Sequence, residues 1–340
     1  MSQKITGVLI VNLGTPDSPA VSDVRKYLRE FLMDKRVMDI PFLNRWLLVN
    51  LIIAPFRAPK SAVEYNKLWV ERGSPLKFYG EDVRDSLQTA LGDNYKVALG
   101  MRYQSPNIQS ALDELRQDSV DQIIVIPLFP QYASASTGSV VDKVMEVTKE
   151  WQVIPTIKFI NNFAEEEQFI NAWAQITGKY LEEEYDHFVF SYHGLPERQI
   201  LKASVNDNCQ LGECCNSYNS KNQYCYRAQC FLTTKLLIKK LGIPEGKYVT
   251  SFQSRLGKNP WIKPYTDHVL KELAGKGIKK VLAFSPAFVA DCLETTVEVG
   301  ETFKDEFISA GGEKWVLVES LNDNSKWIDC LKNMTIRNSA

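Results

Sequence analysis

The chain reads as an α/β protein made of two parallel sheets, each wrapped by helices. Two observations predict this. Short apolar runs alternate with helix-period segments along all 340 residues, the pattern of parallel strands joined by crossover helices. Three segments of the first half also recur, in the same order, in the second. VLIVNLGTP is answered by FVFSYHGLP, MRYQS by TSFQS, and IIVIPLFPQYASASTG by VLAFSPAFVADCLETT. This ordered recurrence suggests two related βαβ halves, with functional loops at the carboxyl ends of the strands and a ligand-binding cleft between the halves.

Taken in chain order, the apolar runs predict strands over residues 7–13, 96–99, 122–127, 153–157, 187–192, 248–253, 280–285 and 315–318. Helix-period segments predict helices over 22–31, 60–71, 80–91, 108–117, 139–149, 165–183, 228–241, 264–276 and 295–307. The expected organisation is a first domain over 1–160 and a second over 161–315. A cysteine-rich insert at 205–230 interrupts the second domain, and residues 316–340 form a strand and helix that pack back on the body.

Composition narrows the function. Lysine plus arginine (40) nearly cancels aspartate plus glutamate (41), so nothing in the charge favours a nucleic-acid partner. The N-terminus runs directly into a strand-like segment and reads as having no signal peptide. Residues 40–56, IPFLNRWLLVNLIIAPF, form the most hydrophobic stretch. Arg45 interrupts it, and the uncharged remainder is too short to span a bilayer, although it suits a membrane surface. Seven cysteines in a chain read as reducing-compartment protein point to metal or catalytic roles before disulfides.

Three constellations carry chemistry. His193 stands at the end of the fifth strand, before Gly194, Leu195 and Pro196, a position that suits either a residue of the expected cleft or a histidine that hydrogen-bonds locally to fix the turn. After the seventh strand, Asp291, Glu294, Glu298, Glu301 and Asp305 follow at spacings that stack carboxylates along one face of a helix. A solvated face is the ordinary reading of such a row. Its start at the end of a buried strand favours an inward-facing acidic track. Finally, Cys209, Cys214, Cys215, Cys225 and Cys230 crowd into NCQLGECCNSYNSKNQYCYRAQC. Paired thiolates suit zinc or an iron–sulfur cluster; zinc favours tighter Cys-x2-Cys pairs, whereas four-residue gaps occur in cluster-binding ferredoxins. Arg57, Lys60, Tyr65, Ser74, Arg102 and Tyr103 are a further basic and polar set; such groups suit a carboxylate-bearing ligand, but each taken alone reads as an ordinary solvated surface residue.

Together, VNLGTPDSP, REFLMDKRVMDIP, RAPKSAVEY, GSPL, MRY, PLFPQYASASTGS, SYHGLPER, KNPWIKP and SPAFVADCLETTVEVGE resemble the ferrochelatase family over nearly the whole chain. The resemblance implies two Rossmann-like domains of the chelatase fold, and insertion of Fe2+ into protoporphyrin IX with release of two protons. It implies His193 and Glu294 at the metal-insertion site, with Asp291, Glu298 and Glu301 as an acidic track on a helix locally widened to π form. Leu13, Phe31, Leu32, Arg102, Tyr103, Trp261 and Phe288 fall at porphyrin-pocket positions, and Arg57, Lys60 and Ser74 at positions that meet propionates. The run to Phe56 matches an active-site lip that touches membrane, which implies a cytoplasmic protein peripherally bound at the inner membrane, as monomer or homodimer. The cysteine insert implies a 2Fe-2S cluster held by four of its five cysteines. Ser134 occupies the position of the upstream cysteine ligand of animal members, which excludes their arrangement. Two other readings compete: a coproporphyrin-specific enzyme, and a non-catalytic haem- or iron-sensing protein.

Overall fold

A computed structural model of the chain describes residues 5–339 apart from 206, 256 and 258. Lys258, which opens KNPWIKP, and Asn206 of the cysteine insert lie outside the described residues. The chain divides into two compact units. The first comprises Met1–Phe129, Ala133–Asn162 and Asn322–Ala340, the second Pro130–Tyr132 and Phe163–Leu321.

The first unit holds β1 (Thr6–Gly14), α1 (Val21–Met33), α2 (Phe42–Leu47), a π-helical stretch Leu48–Ile53, α3 (Ala54–Leu68), α4 (Pro75–Leu91), β2 (Tyr95–Tyr103), α5 (Ile108–Gln117), β3 (Gln122–Pro127), a π turn Ser134–Gly138, α6 (Ser139–Thr148) and β4 (Thr156–Phe159). The second holds α7 (Glu167–Thr177), β5 (His187–His193), α8 (Glu197–Ala203), α9 (Tyr226–Leu241), β6 (Tyr248–Gln253), α10 (Thr266–Gly275), β7 (Lys280–Phe284), a π-helix Leu293–Thr302, α11 (Phe303–Ser309) and β8 (Lys314–Leu317). The last helix, α12 (Ser325–Ser339), belongs to the first unit and packs on α4 and β3.

Both sheets are parallel and four-stranded, in the orders β2-β1-β3-β4 and β6-β5-β7-β8. The orders are identical once four is added to each strand number, so the recurrence seen in sequence is a recurrence of topology. Each sheet has its core on the faces of its central strands. In the first, Leu9, Val11, Ile123 and Val125 pack with Leu112, Val144 and Trp151. In the second, Val189, Val281 and Ala283 pack with Leu270, Phe303 and Phe307. Strands buried on both faces read as continuous apolar runs, which is why they were visible in the sequence.

The repeat extends to the turn after each unit's first strand. A Cβ on Gly14 would stand 2.0 Å from the Tyr103 carbonyl oxygen, and one on Gly194 would stand 2.8 Å from that of Gln253. In both units the chain leaves the strand pressed against the neighbouring strand's last carbonyl, and only glycine fits.

Two expectations shift. The strand expected at 153–157 begins at Thr156, because Val153 and Ile154 are exposed and Pro155 has no N–H for the ladder. The helix expected at 60–71 starts at Ala54 and takes Pro55 into its first turn, where the missing N–H costs nothing.

Candidate active site

His193 is the last residue of β5 and half-buried. Its ring Nδ1 lies 2.6 Å from the Gly194 carbonyl. A carbonyl only accepts, so Nδ1 carries the proton and Nε2 is the ring nitrogen left for a metal or a proton. The His193 carbonyl in turn accepts from the Tyr226 hydroxyl at 2.8 Å. The rings of Trp261 and Phe288 flank the imidazole at centroid distances of 6.4 and 6.5 Å.

The segment after β7 is π-helical from Leu293 to Thr302, the form the resemblance implied. Glu294 and Glu298 are both half-buried, whereas Glu301 and Asp305 are exposed. The expected single inward-facing row is therefore corrected: a π turn closes at i+5, so carboxylates alternating at three and four residues leave the shared face after Glu298. Asp291, half-buried, precedes the π-helix and accepts from the Ser320 amide at 3.1 Å.

Glu298 is held by three donors. The Ser254 amide reaches Oε1 at 3.0 Å, the Gln253 amide nitrogen reaches Oε2 at 3.2 Å, and the Ser254 hydroxyl also bonds Oε2. Gln253 bonds the Glu294 carbonyl at 2.9 Å as well, and its own oxygen accepts from Ser191 at 2.6 Å. Burial pushes the Glu298 carboxyl above its ordinary value, Ser254 and then His193 pull it back, and Glu294 adds to the rise. A carboxyl raised toward neutrality is a better match for proton transfer. Next to Glu294, the Cys292 thiol is buried and pushed well up by burial and by that carboxylate, so it stays protonated.

The residues matched to a porphyrin pocket in the first unit divide into two sets. Leu13 and Phe31 are half-buried, and Arg57 and Lys60 are exposed on α3. Leu32, Tyr103 and Ser74 are buried, with 4%, 0% and 1% of their surface exposed. All three side chains pack against protein in this structure. Leu32 is on the core face of α1. Ser74 stands at the N-cap of α4 ahead of Pro75, its hydroxyl enclosed. The Tyr103 hydroxyl donates to Asp34 at 2.9 Å, and Arg102 donates to the same carboxylate at 2.6 Å and to Ser139 Oγ at 2.6 Å. Asp34 itself has only 4% of its side chain exposed. Arg102 and Tyr103 thus fix the end of α1 to the tip of β2 and the start of α6.

All seven cysteines are free thiols. Cys209, Cys214, Cys215 and Cys225 line one cavity of about 460 Å³ between α8 and α9. They fall into two touching pairs, Cys209 with Cys214 and Cys215 with Cys225. Contact with Cys215 pulls the Cys225 thiol down against its burial, helped by the amides of Ala228 and Arg227 at the start of α9, the helix-terminus effect on thiols. Cys230 is fully buried inside α9, beside Tyr226, and does not line the cavity. Among the described residues, no three His, Cys, Asp or Glu side chains form a group that could hold a single metal ion.

Sequence reasoning missed Gln253, Ser254, Tyr226 and Asp34. Only the recurrence of FQS after RYQS marked the first two. Ser254 and Gln104, each next after the second strand of its unit, share a positive φ of 64° and 65°, a strained backbone common at functional strand tips.

The sequence profile of the ferrochelatase family matches residues 5–339. The chain belongs to the ferrochelatase family. Ferrochelatases of Legionella pneumophila (strain Lens) and Coxiella burnetii (strain Dugway 5J108-111) are 46% and 45% identical to it. Each alignment covers 96% of this chain, with 98% of the Legionella protein and 92% of the Coxiella protein. Among solved structures, SirB from Bacillus subtilis with Fe3+ is similar in fold, with a TM-score of 0.56 at 10% identity, covering 99% of this chain and 96% of that one. In this ferrochelatase-family chain, His193, Glu294 and Glu298 are all carried by the second unit.

Proposed function

We propose that the protein is a ferrochelatase that inserts Fe2+ into protoporphyrin IX, yielding protohaem and two protons. The observation that carries this reading is that His193 at the β5 tip and Glu298 on the π-helix act on one another electrostatically, in a chain of this family. Metal insertion must accept two pyrrole protons while holding a metal that is then given up. An imidazole that offers Nε2 and a carboxyl raised by burial suit both tasks. His193 and Glu294 are the proposed Fe2+ ligands. Glu298 and Asp291 are the proposed proton acceptors behind them. Trp261 and Phe288, beside His193, offer apolar contact for the macrocycle; by the family resemblance Leu13 and Phe31 match pocket positions, and the exposed Arg57 and Lys60 match positions that offer cations to its propionates.

The cysteine site is proposed to hold a 2Fe-2S cluster through Cys209, Cys214, Cys215 and Cys225. Two pairs of thiols around one cavity suit two irons with two thiolates each, whereas a zinc ion draws four sulfurs onto a single centre. Bound there, the cluster would supply a cross-link between the insert and the start of α9. Iron and acid-labile sulfide in the purified protein, with thiolate-to-iron absorbance, are the expected result. One equivalent of zinc without sulfide would contradict it.

Peripheral attachment to a membrane is proposed through the exposed apolar side chains of residues 42–56. Among the described residues no helix is long and apolar enough to cross a membrane. The same apolar surface favours protoporphyrin over coproporphyrin, whose extra propionates need polar surroundings. Visible absorbance of the two porphyrins, mixed with the protein and anaerobic Fe2+ or with Zn2+, tests the reading. Faster metallation of protoporphyrin is expected; preference for coproporphyrin would transfer the assignment to that substrate, and metallation of neither would remove it.

A further inference from the structure

We propose that Tyr226 and Arg227 are positioning residues that couple the cysteine-lined cavity to the turn carrying His193. The role of His193 rests on the metal-insertion reading above; the coupling rests on geometry. Cys225, whose thiol lines the cavity, immediately precedes α9. The next residue, Tyr226, is buried and donates its hydroxyl to the His193 carbonyl at 2.8 Å. The one after, Arg227, donates through Nη1 to the Gly212 carbonyl of the cysteine insert at 3.0 Å. It also donates through Nε and Nη2 to the Lys263 carbonyl at 3.2 and 3.1 Å, and its charge acts on the Cys215 thiol.

Lys263 belongs to the segment that carries Trp261 beside the imidazole. That segment is tied to the His193 turn by the Ile262 amide, which donates to the Leu195 carbonyl at 3.0 Å, and by the Glu197 amide, which donates to Pro260 at 3.0 Å. A second route leaves the same turn directly. Helix α8 follows it, and Ile200, Ala203 and Ser204 at the far end of that helix line the cavity; Ser204 Oγ accepts from the Cys209 amide at 3.0 Å. Cavity and histidine therefore share a closed frame of packed side chains and main-chain bonds. Close-packed interiors pass on small displacements rather than absorbing them. Whatever fills or withdraws from the four thiols shifts Cys225, and the shift reaches His193 and Trp261 through two adjacent residues.

The test uses the full chain and methylmercury, which binds the cavity thiols whatever their natural ligand. With only three histidines in the sequence, selective 15N labelling resolves His193, and exposed His268 serves as reference. The His193 resonance is expected to move when methylmercury binds the wild type. The movement should be lost in the Tyr226→Phe, Arg227→Gln double variant at equal mercury uptake, and reduced in Tyr226→Phe alone, which deletes one hydroxyl and guards against a double variant that fails to fold. In turnover, Tyr226→Phe is expected to lower kcat about tenfold with the porphyrin KM unchanged, the signature of a misplaced reacting group rather than a damaged binding surface. An unmoved His193 in the wild type, or equal movement in wild type and variants, would overturn the coupling. A His193 that responds in a protein without metallation would leave the coupling standing and remove the functional reading.

Discussion

Asp34 shows how much one buried carboxylate can organise. Burial pushes its carboxyl up, but Ser139, the Arg36 amide, Arg102 and Tyr103 together outweigh burial and leave it below the ordinary value of 3.8. An acid whose folded value is depressed binds its proton more weakly folded than unfolded. Its stabilisation is therefore complete above the unfolded value and is lost as pH falls through the folded one. Asp34→Asn leaves the Arg102 guanidinium without its counter-charge and is expected to cost about 3 kcal/mol at neutral pH. In urea melts the gap between variant and wild type should narrow below about pH 4. A gap independent of pH would show that the ion pair is not its source. At the same scale, Ser254→Ala removes one of the three donors on Glu298. The expected result is a fall in kcat on the order of tenfold at an unchanged porphyrin KM, restored in part by Ser254→Thr.

Among the elements, the run from α2 to α3 stands apart. Phe42, Leu43, Trp46, Leu47, Leu51, Ile52 and Phe56 are all exposed, Phe56 by 73%. The one charge inside the run, Arg45, is buried and donates to the carbonyls of Met38 and Ile40 at 3.0 and 2.9 Å. The charge thus anchors the segment from within and leaves an outer face free of charge and apolar but for Asn44 and the half-buried Asn50, a patch of the kind that marks an interaction surface. Leu43→Glu combined with Phe56→Glu is expected to lower binding to lipid vesicles at least tenfold, since inserting each such side chain is worth about 1.5–3 kcal/mol. Unchanged cosedimentation with vesicles would assign the patch elsewhere.

Elements differ in how far they can be read from sequence. Strands buried on both faces announce themselves by continuous runs, and only Pro155 displaced one. The π-helix after β7 is not legible from spacing, because acids at alternating three and four fit an ordinary helix equally well. Nor does spacing choose among the cysteines. Cys230 shares with Cys225 the four-residue gap of Cys209 and Cys214, yet it sits more than a turn inside α9 and faces the core, while Cys215 turns to the cavity. His193 was legible as a strand tip. Gln253, Ser254 and Tyr226 were not, because they act on partners that the sheet order and the α9 start bring to them, and the sequence around them carries no unusual pattern.

At the scale of the whole molecule, duplication separates framework from chemistry. The two units repeat sheet order, the glycine turn after the first strand, and a π-helical segment after the third. In the sequence match Leu13 stands where the second unit has His193, and Ser136 and Val140 where it has Glu294 and Glu298. Only the second copy carries ligating side chains at these positions. The first unit is closed by α12, whose Trp327, Ile328, Cys330, Leu331 and Met334 are buried. Removing residues 325–340 strips several large side chains from that core at about 2–5 kcal/mol each. The truncated chain is expected to lose cooperative unfolding, as followed by circular dichroism.

The most direct test of metal insertion at the second unit's strand tips is initial-rate porphyrin metallation by wild type, His193→Ala and Glu294→Gln under anaerobic Fe2+. Rates in both variants are expected to fall by at least about 100-fold while the proteins keep the wild-type circular dichroism spectrum. Full turnover by both variants would contradict the account, because the imidazole and the carboxylate would then play no part in the reaction.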